Sequence, residues 1–178
     1  MTDAIPISWL NDYLFDPKSI YFHNIVADFD TSSYHQKPQI DGNAAHTTIE
    51  DNTYSDSKRY IVAKPVFSDE FNLIGKIDIL DTTTHTLIER KKKINQVYQG
   101  HIYQLWAQYF ALLEEGYQID SLKIHSISDN QNYSVALPTD QDKKCFGDFV
   151  IKLKGDIVLH GSDNINKNIT SIYNEYYF

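Results

Sequence analysis

The sequence predicts an α/β or α+β domain: a mixed central β-sheet flanked by helices. Three observations carry this. Residues 73–80 and 86–91 are strand-length apolar runs joined by a threonine-rich turn, the pattern of a β-hairpin. Residues 98–115 repeat apolar side chains at the helical period, with Tyr98, Ile102, Leu105, Tyr109 and Leu112 in phase and Gly116 as a stop. Helical patterns also precede and follow the strands, an order that packs helices against a sheet. The 178 residues fit a single domain, 1–178, long enough for a sizeable core.

Taken in order, Ser8 is placed to cap a helix carrying Trp9, Leu10, Tyr13 and Leu14. Asp16-Pro17 opens a second helix, with aspartate as cap and proline in its first turn. The apolar stretch 19–26 packs this pair on the body of the domain. Residues 27–42 are polar without a period and read as a loop, and 43–51 as a short helix presenting His46. Residues 60–67 form a strand that Pro65 pushes toward an edge or bulge. Beyond the main helix, 121–128 alternates like a half-buried strand, 133–137 is another, and 139–154 is a last helix opening on Thr139-Asp140. The tail, 164–178, ends in Tyr173, Tyr176, Tyr177 and Phe178, aromatic area suited to covering the N-terminal helices.

Composition narrows the class. A hydrophobic share of 42% and a charged share of 22% are those of a soluble globular domain. No run reaches the roughly 20 apolar residues of a membrane-spanning helix, and MTDAIPISWL lacks the basic start of a secretory signal. The single cysteine, Cys145, excludes an internal disulfide and an all-cysteine metal site within one chain, so a reducing cytoplasm is expected. A net charge of −8 speaks against coating nucleic acid by bulk electrostatics. Grip on phosphates would then come from local basic residues, such as Arg90, Lys92 and Lys93, or from a partner.

The hairpin carries charges that its apolar pattern does not need. Glu89 and Lys91, two apart, share one face of their strand. A turn centred on Thr83 and Thr84 sets Asp78 directly opposite Glu89. Two facing carboxylates repel, and a divalent cation between them removes the repulsion, because hard cations take oxygen ligands. The adjacent lysine can then position or deprotonate a water for attack on phosphorus. On the following helix Gln104 and Gln108 stand four apart and can reach one target. The same letters taken singly also describe a solvated strand face, and the rest of the chain decides between the two.

In order, Gly42-Asn43-Ala44-Ala45-His46, Gly75-Lys76-Ile77-Asp78, Glu89-Arg90-Lys91 and a helix bearing Gln104 resemble the RecB-like branch of the PD-(D/E)XK nucleases. More narrowly the chain is similar to the fourth CRISPR-associated (Cas) protein family, including versions found in type V systems, over nearly its whole length. The resemblance implies a restriction-endonuclease-like core. It makes His46, Asp78 and Glu89, with the backbone carbonyl of Arg90, ligands of Mn²⁺ or Mg²⁺. It gives Lys91 the attacking water and Gln104 a supporting role. The implied activity is a metal-dependent deoxyribonuclease, an exonuclease that trims single-stranded prespacer ends together with the CRISPR adaptation integrase. The family's usual tyrosine four after the glutamine is Gln108 here, followed by Tyr109. Its four iron–sulfur cysteines align with Asp16, Asn168, Ser171 and Tyr177, so no iron–sulfur cluster is expected. Two other readings stay open: a non-catalytic subunit that binds DNA ends, and a RecB-like repair or restriction nuclease outside CRISPR.

Overall fold

The computed structural model describes residues 4–19 and 59–163. The predicted helix presenting His46, the loop before it, the stretch beyond Ser19 and the aromatic tail lie outside the described residues. Within them the chain runs β1 (Ile5–Pro6), α1 (Ser8–Phe15), β2 (Tyr60–Val62), β3 (Pro65–Ser68), β4 (Leu73–Lys76), β5 (Ile79–Asp81) and β6 (Thr86–Lys91). Then follow α2 (Gln99–Glu114), β7 (Ser121–Ser126), β8 (Gln131–Val135) and α3 (Asp140–Asp163).

The two runs expected as single strands each break in two, and the break organises the fold. Residues 60–67 divide into β2 and β3 at Ala63, which adopts a φ of 50°. Residues 73–80 divide into β4 and β5 at Ile77 and Asp78. The register is the same on both sides: Tyr60 faces Asp81 and Val62 faces Ile79, while Pro65 faces Lys76 and Ser68 faces Leu73. Across the break the Ala63 amide donates to the Asp78 carbonyl at 3.0 Å and the Ile77 amide to the Lys64 carbonyl at 2.9 Å. One bent hairpin therefore feeds two sheets, ordered β1-β4-β3 and β2-β5-β6-β7-β8 among the described residues. Pro65 opens edge strand β3, where its missing N–H costs no ladder bond.

The next hairpin has the expected register, with Ile79 opposite Ile88 and Asp81 opposite Thr86, so its turn centres on Thr83 and Thr84. Asp81 shapes that turn by accepting the amides of Thr83 (3.0 Å) and Thr84 (3.2 Å). Arg59 donates to both Asp81 oxygens and holds the carboxyl well below the usual carboxylate range. β6 then pairs in parallel with β7 through the crossover α2, and β7 pairs antiparallel with β8. β7 begins at Ser121 as expected but ends two residues early, and β8 begins and ends two residues earlier than the apolar pattern implies. Asn130, at a φ of 54°, makes a tight turn that sets Ser126 opposite Gln131, so polar residues enter the ladder.

Helix ends follow tertiary constraints more than caps. Ser8 is the first residue of α1, not its cap; Ile7 holds that place, because β1 runs straight into the helix and the Ile7 amide donates to Ile74 O at 2.8 Å. Asp16 does cap the next turn, accepting the Lys18 amide at 3.0 Å. Thr139 and Asp142 satisfy each other's amides at the start of α3, which runs on to Asp163. α2 is buried on more than its predicted stripe, since Trp106, Ala107, Phe110 and Ala111 are covered as well as Leu105 and Leu112. Tyr98, expected in that stripe, is exposed. Phe71, Phe110 and Phe146 meet with ring centroids 4.9–5.4 Å apart, and Phe149 adds Tyr13 and Tyr103, joining all three helices in one aromatic cluster. Among the described residues no helix is long and apolar enough to cross a membrane.

The crossing of α1 over α2 is close enough to need glycine. A methyl group on Gly100 would lie 3.1 Å from the Asn11 Cα and collide with the Asn11 side chain. Gly100→Ala is therefore expected to destabilise the protein by about 1–3 kcal/mol, the usual cost of overpacking. Chemical denaturation with an unchanged m-value measures it.

Candidate active site

The site grows from the fork that the bend creates. Along one edge the strand β4–β5 pairs with β3 and β2 throughout. Along its other edge β1 lies beside Leu73 and Ile74, and β6 lies beside Ile79 to Asp81. The motif Gly75-Lys76-Ile77-Asp78 falls between these two neighbours. Ile7 closes one end of the gap: a Cβ on Gly75 would lie 2.9 Å from its Cδ1. At the other end β6 runs on past β5, still paired with β7 as far as Lys91 and Ser126.

Continuing the hairpin register by one step sets Asp78 opposite Glu89, where the sequence placed them. Instead of extending the ladder, Asp78 turns its side chain to β6, and its Oδ2 accepts the Arg90 amide at 2.6 Å. A strand residue's amide and carbonyl point to the same edge, so the Arg90 carbonyl also faces the fork. Leu87, Glu89 and Lys91 share the face toward α2. Asp78 is 7% exposed and Glu89 only 1%.

A carboxylate taken this far from water needs donors, and α2 supplies them. Gln104 Nε2 donates to Glu89 Oε1 and Gln108 Nε2 to Glu89 Oε2, both at 2.8 Å. Lys91 Nζ lies 2.9 Å from Glu89 Oε1 and 2.8 Å from Gln104 Oε1. Gln104 thus spends both ends of its amide, one on the carboxylate and one on the ammonium. The two glutamines do reach one target, as their spacing implied. Of the two residues after Gln104 that could stand in for a tyrosine, Gln108 lies in the site. Tyr109 instead meets the Phe110 ring, with centroids 5.4 Å apart.

Sequence reasoning passed over His101. It sits one turn before Gln104, half-buried, with its Nδ1 3.4 Å from the Tyr98 amide and its ring edge-on to Tyr98 at 5.7 Å. Burial, then the charge of Lys91, push its pKa down from 6.5 to about 4, against a smaller opposing pull from Glu89. The visible signal was spacing: 101, 104 and 108 fall on one helical face.

Asp78, Glu89, Lys91, Gln104 and the Arg90 backbone are thus brought together, while His46 lies outside the described residues. Among the described residues no group of three or more His, Cys, Asp or Glu side chains forms a metal cluster. The two buried carboxylates and a backbone carbonyl are a hard oxygen set that suits Mg²⁺ or Mn²⁺, with His46 as the remaining expected donor.

No family model matches the sequence, and no curated protein is significantly similar to it. Among solved structures, the chain is similar in fold to the crystal structure of SSO0001, with a TM-score of 0.57 and 14% identity over 99% of this chain and 86% of that one. At that identity the likeness is one of fold, a mixed α/β arrangement with its sheets flanked by helices.

The lowered pKa of His101 makes a pH prediction. The unfolded chain takes up the proton first, near 6.5, and the folded chain only near 4. The contribution to stability is therefore complete above 6.5 and lost as the pH falls toward 4. His101→Gln is expected to flatten the stability curve in that window relative to wild type. Denaturation midpoints at a series of pH values check it.

Proposed function

We propose that the chain is a metal-dependent deoxyribonuclease with a PD-(D/E)XK core. The observation that carries the reading is that Asp78 holds the Arg90 amide while Glu89 and Lys91, on either side of Arg90, pair with each other beneath Gln104. The task it best fits is trimming single-stranded ends of prespacer DNA beside a CRISPR adaptation integrase. That narrower step rests on the resemblance of the motifs and their order to the fourth Cas family.

Asp78, Glu89, the Arg90 carbonyl and His46 would hold Mn²⁺ or Mg²⁺, which when bound polarises a scissile phosphate and stabilises the leaving oxygen. The chain's own groups set the rest. Lys91 has three protons to donate; two are directed at Glu89 Oε1 and Gln104 Oε1, and the third is left to orient a water or a phosphate oxygen. Gln104 fixes the ammonium and the carboxylate relative to each other. A net charge of −8 fits an enzyme whose DNA grip is shared with a basic partner.

Digestion of a duplex with single-stranded overhangs, with Mn²⁺ and with EDTA, alone and with the integrase, tests the reading. Wild type is expected to trim the overhangs only with metal, and Asp78→Ala to abolish trimming. Lys91→Ala is expected to slow it about 10²–10⁴-fold, the usual worth of a positioned proton-transfer group. An Asp78→Ala protein as fast as wild type would refute the assignment. A wild type that binds overhangs without cutting them would favour the end-binding subunit.

Imidazole is a better ligand for Mn²⁺ than for Mg²⁺. His46→Ala should therefore weaken Mn²⁺ binding more than Mg²⁺ binding. Calorimetric titration of both ions into both proteins measures this, and unchanged Mn²⁺ affinity would place His46 outside the ligand set.

A further inference from the structure

The geometry assigns Gln108 the part of a positioning residue: its amide sets the distance between the strand carrying Glu89 and the segment carrying Asp78. This rests on the nuclease reading and gives a role to the glutamine that stands where the family's motif usually has a tyrosine. Gln108 is 1% exposed. Its Nε2 carries two protons, one directed at Glu89 Oε2 at 2.8 Å and one at the Lys76 carbonyl at 3.4 Å. Lys76 closes β4, two residues before Asp78. A single amide nitrogen therefore spans the fork from the α2 side. The two glutamines divide the work: Gln104 ties Glu89 to Lys91, and Gln108 ties Glu89 to the bend.

The other end of the Gln108 amide shows what this arrangement costs. Gln108 Oε1 is buried with no hydrogen-bond partner among the described residues. A leucine would fill much the same space beside Leu105 and Leu112 but would strip Glu89 Oε2 of a donor, so the glutamine is present for its bonds and not for its volume. Both of its bonds run to the two segments that hold the proposed metal ligands. Groups that orient ligands in this way typically change metal affinity 10–100-fold when removed.

The test is calorimetric titration of Mn²⁺ into wild type, Asp78→Asn, Gln108→Leu and Gln108→Met, with melting curves for each. Gly100→Ala, on the same helix but removing no hydrogen bond to either carboxylate, serves as a destabilised control. Wild type is expected to bind Mn²⁺, Asp78→Asn to lose it, and both Gln108 variants to bind about 10–100-fold more weakly. Gly100→Ala is expected to keep wild-type affinity despite its lower melting temperature. Wild-type Mn²⁺ affinity in the folded Gln108 variants would overturn the proposal while leaving the nuclease reading standing. So would Gln108 variants that fail to fold, or whose affinity falls only in step with that of Gly100→Ala. A wild type that binds no Mn²⁺, or binds it equally well without Asp78, would overturn both.

Discussion

The constraint on which much else depends is the burial of one carboxylate. Glu89 is 1% exposed on a central strand, and an ion taken out of water costs several kcal/mol unless it is paired and hydrogen-bonded. Its partners come from one flank of α2, through Gln104 and Gln108 one turn apart, and from its own strand, through Lys91. Meeting that demand fixes the rotation of α2 about its axis. With 104 and 108 facing β6, Tyr103 and Phe110 fall on the side where Phe146 and Phe149 of α3 pack. The aromatic cluster and the polar site are two faces of one helix, each set by the other.

The second organising feature is the continuous register of the bent hairpin. Had residues 73–81 remained one straight strand, β6 could have paired along its whole edge, and Asp78 would have been an ordinary ladder residue beside Glu89. The bend at Ala63 and Asp78 sends the first half of the strand to β1 and leaves the second half with β6. The edge between β1 and β6 is thereby left for side chains instead of backbone. Asp78 then bonds the Arg90 amide with its carboxylate. Divergence of neighbouring strands is also the geometry on which the proposed ligand site would rest.

Much of the site was legible in the sequence because it rests on short-range arithmetic. A turn centred on Thr83 and Thr84 fixes the pairing of Asp78 with Glu89. Spacings of two and four put Glu89 with Lys91 and Gln104 with Gln108. What escaped depends on contacts distant in the chain. β1 is two residues long and has no period of its own; it exists because the Ile5 and Ile7 amides donate to the carbonyls of Asn72 and Ile74. The split of each long run was hidden because the apolar residues continue through it: Ile77 is as fully buried as Leu73 or Leu80, although it belongs to neither strand. Ser8 reads as a cap by type, yet a strand entering the helix directly takes that place. His101 has an unremarkable local context; its burial first, and then its nearness to Lys91, distinguish it.

The energetics bear on why such a site would be kept. An apolar replacement of a buried ion pair is often neutral or stabilising by about 1–4 kcal/mol, so Glu89, Lys91 and the two glutamines are weak candidates for a purely structural role. The orphaned Gln108 Oε1 strengthens this, because it adds a desolvation cost that no described contact returns. Core neighbours at the same level, Leu87, Leu105, Leu122 and Ile124, show that this region can be filled entirely with apolar side chains. Selection for stability alone would extend that core through positions 89 and 108. Retaining a buried acid there, braced from two sides and set opposite a second acid, is the outcome expected when the oxygens themselves are needed, and that favours the proposed metal-dependent chemistry over a site kept only as packing.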